Sequence, residues 1–227
     1  MITVTGDEMK AIDNYCIKEL GIPGIVLMEN AALKVIKNID LNNYNSFTIL
    51  CGVGNNGGDG LAVGRHLIVN DKDVHIYIVG NIEKGSQDFL VNYNILKNME
   101  IDLKHISTIE DLEPLENSIL KSDMVIDSIF GTGLTRDIEG IYKDIILSIN
   151  DNSKYVLSID IPSGMDSDTG KIFGVSIKAN NTITFQLLKN GLAHNKNYTG
   201  KVIVEPIGMP KIAIDSIVGK KFENQQI

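Results

Sequence analysis

From residue 46 to residue 161 the chain alternates short, β-branched apolar runs with segments whose apolar residues recur at helical spacing. The strand-like runs are Ser46–Leu50, Val74–Val79, Ile101–Ile106, Met124–Ile129 and Tyr155–Ile161. Between them, Leu61–Val69 looks helical, Phe89, Tyr93, Leu96 and Met99 fit a helix after Ser86, and Ile138, Ile141, Ile145 and Ile149 fit another. Near-continuous apolar strands separated by helices argue for an α/β fold with a mostly parallel sheet and helices on both faces. Right-handed crossovers then place every strand-to-helix loop on one edge of that sheet.

The flanks add less. Met9, Ile12, Cys16 and Leu20 follow a plausible Thr5 cap, and Gly21 closes that helix. Pro23 opens a second, in which Met28, Ala31, Ala32, Val35, Ile36 and Ile39 form a narrow stripe fit for close packing on the sheet or against another subunit. Glu29-Asn30 interrupts the stripe and reads as a solvated pair. Beyond residue 170 the helical signal fades, Asn181–Leu187 and Lys201–Glu205 look like late strands, and Gly219–Ile227 looks like a polar tail. A single domain over residues 1–219 with a tail at 220–227 is the expected organisation, since 227 residues suit one large α/β domain.

Charge and cysteine content narrow the function classes. Against 21 Lys and Arg stand 29 Asp and Glu, a net charge of −8, with no basic cluster to neutralise a run of phosphates, so nucleic acid is not expected as a partner. No stretch reaches the length of apolar residues that spans a bilayer, and Cys16 and Cys51 read as small core residues of a reducing compartment. A soluble cytoplasmic protein is expected.

The chemistry concentrates at three strand ends. The first run leads into Cys51-Gly52-Val53-Gly54-Asn55-Asn56-Gly57-Gly58-Asp59-Gly60, where five of the last nine residues are glycine. Such a loop permits positive φ and a close backbone approach to a ligand, and the helix after it offers free N–H groups and a positive dipole end to a phosphate. The spacing Gly52-x-Gly54-x-x-Gly57 matches the dinucleotide fingerprint, yet no acid stands clearly at the end of the next strand, and no Lys-Ser/Thr follows as a nucleotide-triphosphate loop requires. A turn that uses glycine for geometry alone stays open as the plainer alternative.

The second strand end carries Asp127, then Gly131-Thr132-Gly133-Leu134-Thr135-Arg136-Asp137; the third carries Asp160-Ile161-Pro162-Ser163-Gly164. An ionised carboxylate inside an apolar strand is costly unless compensated, so Asp127 and Asp160 point to a cation, to catalysis, or to capping of the next turn. Gly131, Gly133 and Arg136 make a second anion cradle. Asn56, Asp127 and Ser163 are hard oxygen donors on three loops, which suits a hard cation better than a transition metal. His66, His75, His105 and His194 are scattered, and Ser163 lacks the context of a hydrolase nucleophile.

These segments, together with Leu27-Met28-Glu29-Asn30-Ala31, Thr182-Ile183-Thr184-Phe185, Lys189, Gly191 and Ile207-Gly208-Met209-Pro210, resemble the YjeF N-terminal domain, the NAD(P)HX epimerase family, over nearly the whole chain. The resemblance implies a Rossmann-like three-layer sandwich that interconverts the R and S forms of hydrated NADH or NADPH, which carry a hydroxyl at carbon 6 of the nicotinamide ring. It further implies that Asn55, Asn56, Gly57, Gly58 and Asp59 contact the substrate and that Gly131, Thr132, Gly133, Leu134, Thr135, Arg136 and Asp137 hold it from the other side. Asp160 would touch the reacting end and shuttle the proton, and Asn56, Asp127 and Ser163 would coordinate a potassium ion. A homodimer and a partner dehydratase that consumes the S form are implied as well. Animal members carry a lysine in the second loop where this chain has Thr135. Two other functions compete: a catalytically silent nucleotide-sensing or interaction module on the same fold, and a dinucleotide-dependent oxidoreductase.

Overall fold

The computed structural model of the chain describes residues 2–223. In chain order the elements are β1 (Thr3–Val4), α1 (Gly6–Lys18), α2 (Gly24–Lys37), β2 (Ser46–Cys51), α3 (Asn55–Val69), β3 (Asp73–Val79), α4 (Gln87–Asn98), β4 (Leu103–Ile106) and α5 (Leu112–Lys121). They continue with β5 (Met124–Ser128), α6 (Gly140–Asn152), β6 (Val156–Ile159), β7 (Asn181–Phe185), β8 (Leu188–Lys189), α7 (Lys196–Thr199), β9 (Lys201–Glu205) and α8 (Lys211–Glu223).

Local chemistry sets the helix starts. Thr5 Oγ1 accepts from the Glu8 amide at 3.1 Å while the Glu8 carboxylate accepts from the Thr5 amide at 2.9 Å, a reciprocal cap that begins α1. Ser86 caps α4 through the Phe89 amide, and Pro23, with φ −60°, precedes α2. Strand periodicity then sorts side chains between two faces. In β2, Phe47, Ile49 and Cys51 join one apolar layer while Leu50 joins the other.

Seven strands form one parallel sheet in the order β4-β3-β2-β5-β6-β7-β9. On one face lie α1–α4 and α8, whose buried residues include Ile12, Ala32, Leu61, Phe89 and Ala213; on the other lie α5 and α6, with Leu115, Ile119, Ile145 and Ile149. This is the three-layer, Rossmann-like α/β arrangement expected from the alternation. From β2 the chain winds outward through β3 and β4, then returns to start β5 on the other side of β2 and winds the opposite way. Loops leaving β2 and β5 therefore diverge, and a crevice opens between them at the carboxyl edge, where doubly wound sheets bind ligands.

The sequence reading missed several elements. α5 carries Pro114 in its first turn and only three well-spaced apolar residues, Leu112, Leu115 and Ile119, so its signal is faint. α8 runs through Gly219, where a polar tail was expected, because Ala213 and Val218 bury against the core; residues 224–227 lie outside the described chain. The two-residue strands β1 and β8 pair in parallel, Thr3 with Leu188 and Val4 with Lys189. Neither is long enough to leave a pattern.

Glu29-Asn30 also departs from expectation. Glu29 holds both Arg65 and His66 of α3, and Asn30 Nδ2 donates to the Ile207 carbonyl at 2.8 Å, so this pair is partnered rather than solvated. The small-residue stripe of α2 packs on α3 within the chain. Among the described residues no helix is long and apolar enough to cross a membrane.

Candidate active site

The crevice at the switch point encloses about 1060 Å³ and is lined by all three predicted loops. Asn55, Asn56 and Asp59 contribute from the first, the whole of Gly131–Asp137 from the second, and Asp160 from the third. Asp127 and Ser163 stand behind the wall, fully buried. Gly57 and Gly58 are not in the lining either.

The glycines of the first loop have a steric explanation. None of Gly52, Gly54, Gly57, Gly58 or Gly60 has positive φ, contrary to the expectation for this loop. A Cβ on Gly57 would lie 1.8 Å from the Gly52 carbonyl oxygen, and one on Gly60 would lie 2.0 Å from Ser128 Oγ. The first turns of α3 thus press directly onto the ends of β2 and β5, which only glycine allows. Gly54 precedes α3 without a side-chain cap, so the first amides of that helix face the crevice with no protein oxygen supplied by the cap.

Asp160 sits just past β6 with φ +63°, a backbone state that side chains other than glycine seldom adopt. Its Oδ1 accepts from Lys189 Nζ at 2.5 Å, Thr184 Oγ1 at 3.0 Å and the Phe185 amide at 3.3 Å. Among the described residues Oδ2 accepts nothing, yet it is not sealed from solvent, so it opens to the crevice. Two further carboxyls line the same space. Burial, then the Asp160 charge, pushes the Asp13 carboxyl up to about 6, with Lys189 opposing. Burial, then Asp160 and Asp13, pushes Asp59 well above the carboxylate range. One ammonium therefore lies among three acids, and the carboxyls of Asp13 and Asp59 are both shifted toward the protonated form.

Asp13 and Lys189 were absent from the sequence-derived site. Asp13 lies inside an unremarkable amphipathic helix, and nothing local marks it. Lys189 did stand among the residues that carried the family resemblance, but its role emerges only when β7 and β8 bring it to Asp160.

Beneath the wall, Asp127 accepts four hydrogen bonds: from Ser163 Oγ at 2.5 Å and the Ile129 amide at 3.3 Å on Oδ1, and from Ser158 Oγ at 2.7 Å and the Ser163 amide at 2.9 Å on Oδ2. Burial raises its pKa and these bonds lower it in part. Asn56 Nδ2 donates to the Phe130 carbonyl at 3.0 Å, and Ser163 Oγ lies 3.3 Å from the same oxygen. Among the described residues, Asn56 Oδ1 is buried and accepts nothing. An orphaned amide oxygen, a hydroxyl and a buried carboxylate with no cationic partner among the described residues form a donor set that fits a hard monovalent cation.

A family model described as YjeF-related protein N-terminus matches residues 24–191. The chain belongs to this family. An NAD(P)H-hydrate epimerase of Anaerococcus prevotii is 44% identical over 218 residues, which cover 96% of this chain and 100% of that protein. One from Limosilactobacillus fermentum is 37% identical, covering 88% and 94%. The chain also matches a bifunctional NAD(P)H-hydrate repair enzyme, Nnr, of Moorella thermoacetica at 36% identity, spanning 93% of this chain but 41% of that longer protein. Among solved structures, yeast YNL200c shares the fold, with a TM-score of 0.74 at 23% identity over 88% of this chain and 86% of that one.

Proposed function

We propose that this YjeF-family chain is an NAD(P)H-hydrate epimerase, an isomerase that interconverts the R and S hydrates of NADH and NADPH. One observation carries the mechanism: Asp160 is held by one carboxylate oxygen and offers the other to a dinucleotide-sized crevice at the switch point.

The hydrate is a hemiaminal, so its stereocentre is scrambled by opening the ring carbon–nitrogen bond or by losing the hydroxyl and readding water. Either route moves a proton to or from oxygen. Asp160 Oδ2 moves that proton. Asp13, raised to about 6, and Asp59, raised as well, line the same crevice as Asp160, so carboxyls of graded acidity stand together where acid–base chemistry needs them. Asn55, Asn56, Asp59 and the Gly131–Asp137 loop hold the dinucleotide between the diverging strand ends, while Gly57 and Gly58 let α3 approach.

Asn56, Asp127 and Ser163 would hold a potassium ion, which when bound supplies positive charge at the buried Asp127 and ties the three loops together. The chain acts as a single domain that includes α8, in the cytoplasm, as a homodimer, and hands the S form to a dehydratase; the fused repair enzymes among its relatives fit that pairing.

Chiral separation of NADHX and NADPHX epimers tests the function. Equilibration far faster than the spontaneous rate supports the reading, and no acceleration in potassium buffer removes it.

A further inference from the structure

The Asp160 carboxylate has a partner whose part in the chemistry is separable from its part in the fold. Lys189 is 1% exposed, and its ammonium makes three contacts: Asp160 Oδ1 at 2.5 Å, the Phe185 carbonyl at 2.9 Å and Thr184 Oγ1 at 3.0 Å. An ammonium has three N–H bonds. All three are spent on these acceptors, so Lys189 has none left for a substrate. Thr184 Oγ1 accepts from Lys189 and donates to Asp160 Oδ1, and the Phe185 amide donates to that same oxygen. The end of β7 thereby grips both members of the pair.

We propose that Lys189, with Thr184, is the positioning residue for this reaction: it captures Oδ1 of Asp160, holds the left-handed backbone there, and leaves Oδ2 as the one oxygen that meets the substrate.

Three observations support this assignment. Every donor to the Asp160 side chain converges on one oxygen. A non-glycine residue at φ +63° persists only where its surroundings over-determine it, and the Asp160 amide is fixed as well, donating to the Ile183 carbonyl at 2.8 Å. Acids crowd the same space, Asp13 from α1, Asp59 from α3 and, facing Asp59, Asp88 from α4, and Lys10 and Arg136 line the crevice as well. Lys189 is the cation in direct contact with the Asp160 carboxylate.

The proposal rests on the epimerase reading, and the experiment separates the two. Lys189→Met keeps the buried stem and removes the charge. It is expected to lower kcat by about 10²-fold while KM stays within about threefold, because the dinucleotide contacts lie on other loops. The acid limb of its kcat/KM profile should move to higher pH, since Asp160 then loses the ammonium that favours its ionised form. Thr184→Val, which keeps the ammonium, should show a smaller loss of kcat in the same direction, and it serves as the test if Lys189→Met does not fold. Thr184→Ser, which retains the hydroxyl, should recover the wild-type rate.

A folded Lys189→Met with wild-type kcat, or one whose kcat and KM both worsen with an unmoved pH profile, overturns the positioning role. So does a Thr184→Val enzyme indistinguishable from wild type. If Asp160→Asn is inactive while Lys189→Met is unaffected, only this inference fails. If wild type itself does not accelerate epimerisation, the functional reading fails first.

Discussion

Neutralising Asp13 should stabilise the protein, and by an amount that depends on pH. In the fold its carboxyl is raised from an ordinary value of 3.8 to about 6, by burial first and the Asp160 charge second. A displacement of that size corresponds to at most about 3 kcal/mol between the protonation states. A raised acid favours the fold while it keeps its proton. Below its unfolded value both states are protonated and the group contributes nothing to pH dependence. Between about pH 4 and pH 6 the unfolded chain releases the proton while the folded chain retains it, so stability falls with rising pH, and above that window the whole cost is present. Asp13→Asn removes the ionisable group. The variant should match wild type near about pH 4 and exceed it by about 1–3 kcal/mol near about pH 8, the lower part of the range reflecting partial solvent contact and the response of Asp59. Urea unfolding at the two pH values, read as a shift in midpoint with unchanged m, measures this. A gain equal at both pH values, or a variant weaker than wild type at the higher one, would refute the reasoning.

Other outcomes follow from the same geometry. Asp160→Asn should fold normally and lose about 10²-fold or more in epimerisation rate, and unchanged turnover would take Asp160 out of the mechanism. In wild type, replacing choline chloride by potassium chloride should raise Tm, and in Asp127→Ala that response should vanish; equal responses in both proteins would dismiss the cation. Gly60→Ala drives a methyl group to 2.0 Å from Ser128 Oγ and should cost at least about 1–3 kcal/mol. Ser128→Ala in the same chain should relieve part of that cost, and strictly additive effects would show that the clash lies elsewhere.

The fold was legible where periodicity was strong and local. β2, β3, β5 and β6 are predominantly apolar, β-branched runs because both faces of the sheet are covered, and that signal survives without knowledge of any partner. α5 was lost because its apolar residues are few, and α8 because Ile212, Ala213, Ile214, Ile217 and Val218 are spread round the helix rather than gathered on one face; both find their complement only in the assembled layers. At the site, Asn56, Asp127, Ser163 and Asp160 stood out as polar groups in apolar or glycine-rich settings, an anomaly visible in one dimension. Lys189 and Asp13 showed no such contrast. A buried lysine looks like any other lysine until a strand delivers it to an acid, and the steric reason for Gly57 and Gly60 exists only once α3 meets β2 and β5.

The pairing of Thr3–Val4 with Leu188–Lys189 has a kinetic and mechanical side. It joins the start of the chain to a segment near its end, so the anchor of Asp160 is fastened by one of the longest sequence separations in the molecule, and by only two residues on each side. Such a clasp forms after the central sheet and opens before it. Mild denaturant should therefore silence the enzyme while most of the sheet's amides still resist hydrogen exchange, and a bulky fusion placed directly before Thr3 should reproduce that silence in native buffer.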